Sequence, residues 1–153
     1  MPFRPDFFIV EAGSPTKIML VVEAKLGTDS KEAGESQLKQ FMLAMSCPVG
    51  LLVTPTQISI YRDTYTERSE GSIERMGPYP VPSNWAVAKA VGGGGARELE
   101  FEQRVRSWLE QVSSSRTVKG LPREASDAFD SYVIPALSSG LIRGSGPAIR
   151  ESN

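Results

Sequence analysis

The chain has 153 residues, 40% of them apolar and 23% charged, the composition of one globular domain long enough for a real core. With 17 basic and 18 acidic residues the net charge is −1, so a broad basic footprint is excluded and any contact with nucleic acid must rest on a local patch or on the groove of a dimer. One cysteine and no histidine exclude intramolecular disulfides, zinc-finger clusters, four-cysteine iron–sulfur sites, Ser-His-Asp triads and histidine-ligated metals. No apolar run approaches the roughly 18 residues of a membrane span. The first residues lead directly into a strand pattern, which predicts no signal peptide and a cytoplasmic protein.

Residues 4–10 and 18–25 are rich in aromatic and β-branched side chains and predict two strands. Between them, residues 11–17 contain Gly13-Ser14-Pro15 and predict a turn, hence a β-hairpin. Alternation along a strand puts Glu23 and Lys25 on one face, about 7 Å apart, and Ala24 on the other. Asp6 on the neighbouring strand reaches the same spot. Two carboxylates about 4 Å apart repel by roughly 4 kcal/mol at an effective dielectric of about 20. A hard divalent cation, which takes oxygen ligands, would cancel that repulsion.

A helix is expected within residues 26–47. Gly27-Thr28-Asp29-Ser30 supplies a capping loop, with Glu32 three residues after Asp29. Leu38, Phe41, Met42 and Met45 form one apolar stripe. Gln37 lies beside the stripe and either points back to the strand ends or is an ordinary surface side chain. Lys31 and Lys39 lie on the outer flank, as solvated charges or as phosphate contacts. Cys47, before Pro48, reads as a small buried residue rather than a nucleophile. Residues 49–54 predict a buried strand, 54–56 a turn, and 57–63 alternate like an outer strand.

Residues 64–83 read as a long loop with a short strand near 72–76, and residues 85–91 as a short helix capped by Ser83 or Asn84. Gly92-Gly93-Gly94-Gly95 is the strongest break; without a following Gly-Lys-Ser/Thr it predicts a hinge and no nucleotide cofactor. Residues 97–112 predict a helix whose apolar face is Leu99, Val105, Trp108, Leu109 and Val112, extended by Phe101. Glu98, Glu100 and Glu102 crowd its first turns, as the helix dipole favours. Residues 123–137 predict a second helix, kinked or ended by Pro135. The organisation expected is a core over 1–91, a hinge at 92–95, a helical segment over 96–140 packing on the core, and a flexible tail over 141–153, in which Leu141-Ile142-Arg143 can add a short strand.

Pro5-Asp6, then Glu23-Ala24-Lys25, then a helix carrying Gln37-Leu38-Lys39-Gln40-Phe41, together resemble the PD-(D/E)xK nuclease superfamily. Within it, the pattern is most similar to the amino-terminal nuclease domain of type I restriction-enzyme motor subunits, over about residues 4–63; Phe41 stands where that group usually has tyrosine. The resemblance implies an α/β fold: a mixed sheet forming a restriction-endonuclease-like core, with added C-terminal helices. It implies hydrolysis of DNA phosphodiester bonds with Mg²⁺ or Mn²⁺. Asp6, Glu23 and the Ala24 carbonyl would hold the metal, Lys25 would position the attacking water or the phosphate, and Gln37 would contact water or the backbone. Arg4, Lys31 and Lys39 would touch DNA, and a homodimer would suit a duplex substrate. The alternative is a catalytically inactive nuclease-like module for regulation or interaction. Related nucleases carry a helix and a strand before the first acid, and that helix often adds a glutamate. Here the motif lies close to the first residue of the sequence. One hypothesis puts a C-terminal helix in that place, as in a circular permutation, with Glu98, Glu100 or Glu102 supplying the acid; the favoured reading of these glutamates is a solvated first turn of their own helix.

Overall fold

The computed structural model describes residues 5–26, 31–82, 85 and 97–144. Strands β1 (Phe7–Glu11) and β2 (Ser14–Ala24) form the expected hairpin. Its turn is tighter than residues 11–17, because β2 already begins at Ser14 and bulges beside Val10 absorb the mismatch in length. Helix α1 (Lys31–Met45) crosses over to β3 (Val49–Val53), which runs parallel to β2, and β4 (Gln57–Asp63) and β5 (Ile73–Pro80) follow antiparallel. After α2 (Arg97–Ser115) come α3 (Arg123–Ala128), a π-helical turn (Phe129–Val133), α4 (Ile134–Ser138) and β6 (Gly140–Gly144). The six strands form one mixed sheet in the order β5-β4-β3-β2-β1-β6.

The sheet is covered on both faces, which is why β2 and β3 read as continuous apolar runs. On one face Leu38 and Met42 of α1 pack on Val10, Val21, Leu52 and Tyr61. On the other, Phe101, Val105 and Leu109 of α2 and Phe129 and Val133 beyond it pack on Ile9, Leu20, Val22, Leu51 and Ile60. Trp108 joins the two layers of that face, meeting Trp85 edge-on at 5.2 Å and Phe129 at 5.7 Å. Cys47 is fully buried and burial pushes its thiol up to about 12, as a structural residue requires.

Several expectations are corrected. Residues 57–63 are an inner strand, not an outer one. Their polar positions, Ser59 and Tyr61, are buried under α1, where the Tyr61 hydroxyl donates to Glu35 at 2.7 Å. The short strand expected near 72–76 is present but longer, forming the eight-residue β5, which continues into the stretch read as loop; Pro78 and Pro80 are tolerated because β5 is the sheet edge. Met45 and Leu99 leave their predicted apolar stripes and are exposed, since each sits at a helix end beyond the sheet it would cover. Phe41 is half-buried, packed against the α1-side core. Pro135 neither ends nor sharply breaks its helix: the wider π turn before it accommodates the missing N–H and the ring. Within the segment read as a flexible tail, the short strand allowed at Leu141-Ile142-Arg143 does form, as part of β6. Of the short helix expected over 85–91, Trp85 is described and is not helical; residues 86–91 and the hinge at 92–95 lie outside the described residues.

β6 pairs along the whole of β1, Phe7 to Gly144 and Glu11 to Gly140, so the last third of the chain completes the sheet. Gly140 is pressed against β1, where a Cβ would overlap the Val10 carbonyl oxygen and the Ile9 Cγ2. Gly140→Ala should therefore destabilise the fold by about 1–3 kcal/mol, as overpacking does. Gly13→Ala, at a site with nothing within 4 Å, should be near neutral. Equal urea-unfolding midpoints for the two variants would contradict the docking of β6.

Candidate active site

The ladder between β1 and β2 pairs Phe7 with Val22, and the next step brings Asp6 opposite Glu23. There the two residues bond reciprocally. The Asp6 peptide N–H donates to Glu23 Oε1 at 3.2 Å, and the Ala24 N–H donates to Asp6 Oδ2 at 2.6 Å. Ala24 turns its methyl into the core on the α2 side, as alternation predicts. Glu23 and Lys25 share the other face, with Lys25 Nζ 3.0 Å from Glu23 Oε2. Glu23 is 3% exposed, Lys25 30%. The Lys25 stem lies along Gly34 of α1.

α2 reaches the same strand ends. The Glu102 side chain hydrogen-bonds the Asp6 carboxyl, and the charge of Glu98, one turn earlier, reaches both Lys25 and Glu102. Of the three glutamates named by the permutation hypothesis, Glu102 is thus the one at the strand ends, while Glu100 pairs with Arg104 at 2.9 Å. The helix packs toward Asp6 and Glu23, not away from them.

Too few positive charges surround this cluster. Burial raises Asp6 from 3.8 to about 7, assisted by the charge and hydrogen bond of Glu102 and resisted by the Ala24 N–H. Burial and then the Asp6 charge raise Glu23 from 4.5 to about 7, against the pull of Lys25. Glu102 is also raised, chiefly by burial. Burial works against the Lys25 ammonium, but Glu23, Asp6 and Glu98 outweigh it and hold its pKa above the ordinary value.

The other sequence-predicted residues are placed less closely. Gln37 is exposed on α1, one turn beyond Gly34. Lys39 lies with Glu35, which Tyr61 and Arg75 (Nη1 to Oε2 at 3.0 Å) anchor against β4 and β5, so it belongs to that flank rather than to the strand ends. Arg4 and the Lys31 side chain lie outside the described residues. The Tyr61–Glu35–Arg75 network was not anticipated; the polar positions of β4 were its only trace in the sequence. Among the described residues, no group of three or more Asp, Glu, Cys or His side chains is arranged to hold a metal ion as it stands.

Comparison with models of protein families, with curated proteins and with solved structures finds no match. The site's chemistry therefore rests on its own residues. A buried pair of carboxyls with one ammonium can bind a proton, a cation or a donor-rich ligand.

The raised carboxyls have a measurable consequence. In the unfolded chain Asp6 and Glu23 lose their protons near their ordinary values of 3.8 and 4.5, and in the folded chain near 7. Across that window the native state binds more protons, so these groups' contribution to stability falls as pH rises and levels off above it. Asp6→Asn should flatten this decline and be more stable than the wild type at pH 8, while close to it at pH 4. Urea unfolding at the two pH values checks this, and an unchanged wild-type-minus-variant difference would refute the assignment.

Proposed function

We propose that the chain is a Mg²⁺- or Mn²⁺-dependent DNA endonuclease of the PD-(D/E)xK type. The observation that carries this reading is the reciprocal bonding that holds Asp6 and Glu23 side by side at the strand ends, with Lys25 on Glu23. The parallel β2–α1–β3 unit is consistent with the crossover expected after the catalytic strand. α2, bringing Glu102 to Asp6, and β6, paired with β1, are consistent with C-terminal elements in the place of a leading helix and strand. The restriction-endonuclease-like core is part of this proposal.

The donor set suits a hard cation: Mg²⁺ commonly takes one or two carboxylates, with waters and substrate phosphate completing its shell. Asp6 and Glu23 would hold it, with the Ala24 carbonyl. Bound there, it would polarise the phosphorus centre and supply hydroxide near neutral pH. The chain's own residues orient and compensate. The Ala24 and Asp6 N–H groups fix the two carboxyls, Glu102 steadies Asp6, and Lys25 positions the water or the phosphate. Gln37, Arg4, Lys31 and Lys39 are proposed to touch water or DNA. A net charge of −1 favours a dimer groove over a single broad surface for duplex binding.

A second reading, an inactive nuclease-like interaction module, draws on the carboxyl oxygens being engaged within the chain and on the absence of a ready three-acid group among the described residues.

The test uses supercoiled, single-stranded and branched DNA with Mg²⁺ or Mn²⁺. Asp6→Ala and Lys25→Ala should each lose roughly 100-fold or more of the cleavage rate, the scale of a positioned catalytic group. Glu102→Gln should lose about 10–100-fold, as supporting residues do. Cleavage surviving both alanine variants marks a contaminant. No cleavage of any substrate, together with no Mn²⁺ binding, selects the interaction module.

A further inference from the structure

The carboxyl oxygens of Asp6 and Glu23 are held by four groups of very different mobility. Two are peptide N–H groups, of Asp6 and Ala24, fixed at the end of the β1–β2 ladder. The third, Glu102, is carried by a helix whose neighbouring Phe101 is buried in the core. The fourth is the Lys25 ammonium, on a flexible stem and 30% exposed, 3.0 Å from the oxygen of a glutamate that is only 3% exposed. Lys25, unlike the two peptide N–H groups, can therefore leave without moving the backbone. It is also the one that brings a positive charge to Glu23. A divalent cation on Glu23 would meet that charge at the same oxygen, and two cations cannot share it without strong repulsion.

We propose that Lys25 is the resident counter-ion of the site: its ammonium occupies Glu23 Oε2 until a divalent cation displaces it, and the freed head then meets the substrate phosphate. This rests on the nuclease reading above. The departing ammonium is not abandoned, because exposed Glu98 still faces it from α2. Nor is it blocked by α1: even a Cβ at Gly34 would only reach ordinary contact, 3.5 Å from Lys25 Cε. The lysine thus competes with the cation for binding, although the reaction needs both.

The experiment has two readouts that need no DNA. Mn²⁺ binding is measured by calorimetry for the wild type and Lys25→Gln. Acylation of Lys25 by an N-hydroxysuccinimide ester is followed by mass spectrometry with and without Mn²⁺, using exposed Lys119 as internal reference. Lys25→Gln should bind Mn²⁺ at least about tenfold tighter, since a unit charge beside the ion is removed. In the wild type Mn²⁺ should speed Lys25 acylation several-fold relative to Lys119, and Glu23→Gln should give the fast rate without Mn²⁺. Mn²⁺ binding with Lys25 acylation unchanged, or no tighter in Lys25→Gln, overturns the displacement and leaves the nuclease reading intact. No Mn²⁺ binding to either protein overturns both.

Discussion

Where the ladder of amides and carbonyls between β1 and β2 stops at Phe7 and Val22, two side chains continue it. The Ala24 N–H takes the Asp6 carboxyl and the Asp6 N–H takes the Glu23 carboxyl. Each bond uses one residue's backbone and the other's side chain, so neither acid can turn away without breaking the strand end. The neighbouring structure compensates this fixed pair. Buried carboxyls are costly unless neutralised: the Lys25 ammonium does this for Glu23, and Asp6 keeps its proton to higher pH because it is buried and Glu102 lies against it. The other buried positions of β2, Ile18, Leu20, Val21, Val22 and Ala24, are all apolar.

The groups around this pair come from parts of the chain far apart in sequence. Glu102 is on α2, and α2 is held by a core shared with β1, β2 and the helices after it. Arg106 of the same helix donates to the Ile142 carbonyl at 3.3 Å, tying α2 to β6, and β6 pairs with β1. The strand bearing Asp6 is thus flanked by β2 on one side and by β6 on the other. A loosened C-terminal region would act on the carboxyl pair through β1 as well as through Glu102.

Much of this was legible in the sequence. The hairpin, α1, β3 and the long helix follow from apolar periodicity, and the facing of Glu23 with Lys25 follows from alternation alone. What escaped has physical reasons. β4 looked half-exposed because Ser59 and Tyr61 are polar, yet both lie under a helix that satisfies the tyrosine hydroxyl with Glu35. Prolines and a glycine disguised β5, because an edge strand tolerates what an inner strand does not. Leu141-Ile142-Arg143 hinted at β6, but its pairing with β1 was not legible, because it depends on Gly140 approaching Val10 closely. Glu102 was one of three candidate glutamates. Phe101 at a buried position and Val105 one turn later orient the helix so that Glu102 flanks the core, and that phase is a tertiary fact.

Two polar clusters lie on the two flanks of α1, and comparing them argues for which one is the site. Around Glu35, a tyrosine hydroxyl, an arginine and the Lys39 charge overcome partial burial and hold the carboxyl below its ordinary range. That cluster is balanced: one acid has donors enough, and it pins α1 to β4 and β5. At the strand ends three carboxyls meet one lysine, and all three are held above their ordinary range. A structural ion pair evolves toward the first arrangement, because saturation is what stabilises. The second keeps unmet negative charge in fixed positions, lowering stability near neutral pH. Titratable groups displaced from their ordinary range cluster at functional sites, so the strand ends rather than the Glu35 flank carry the proposed function.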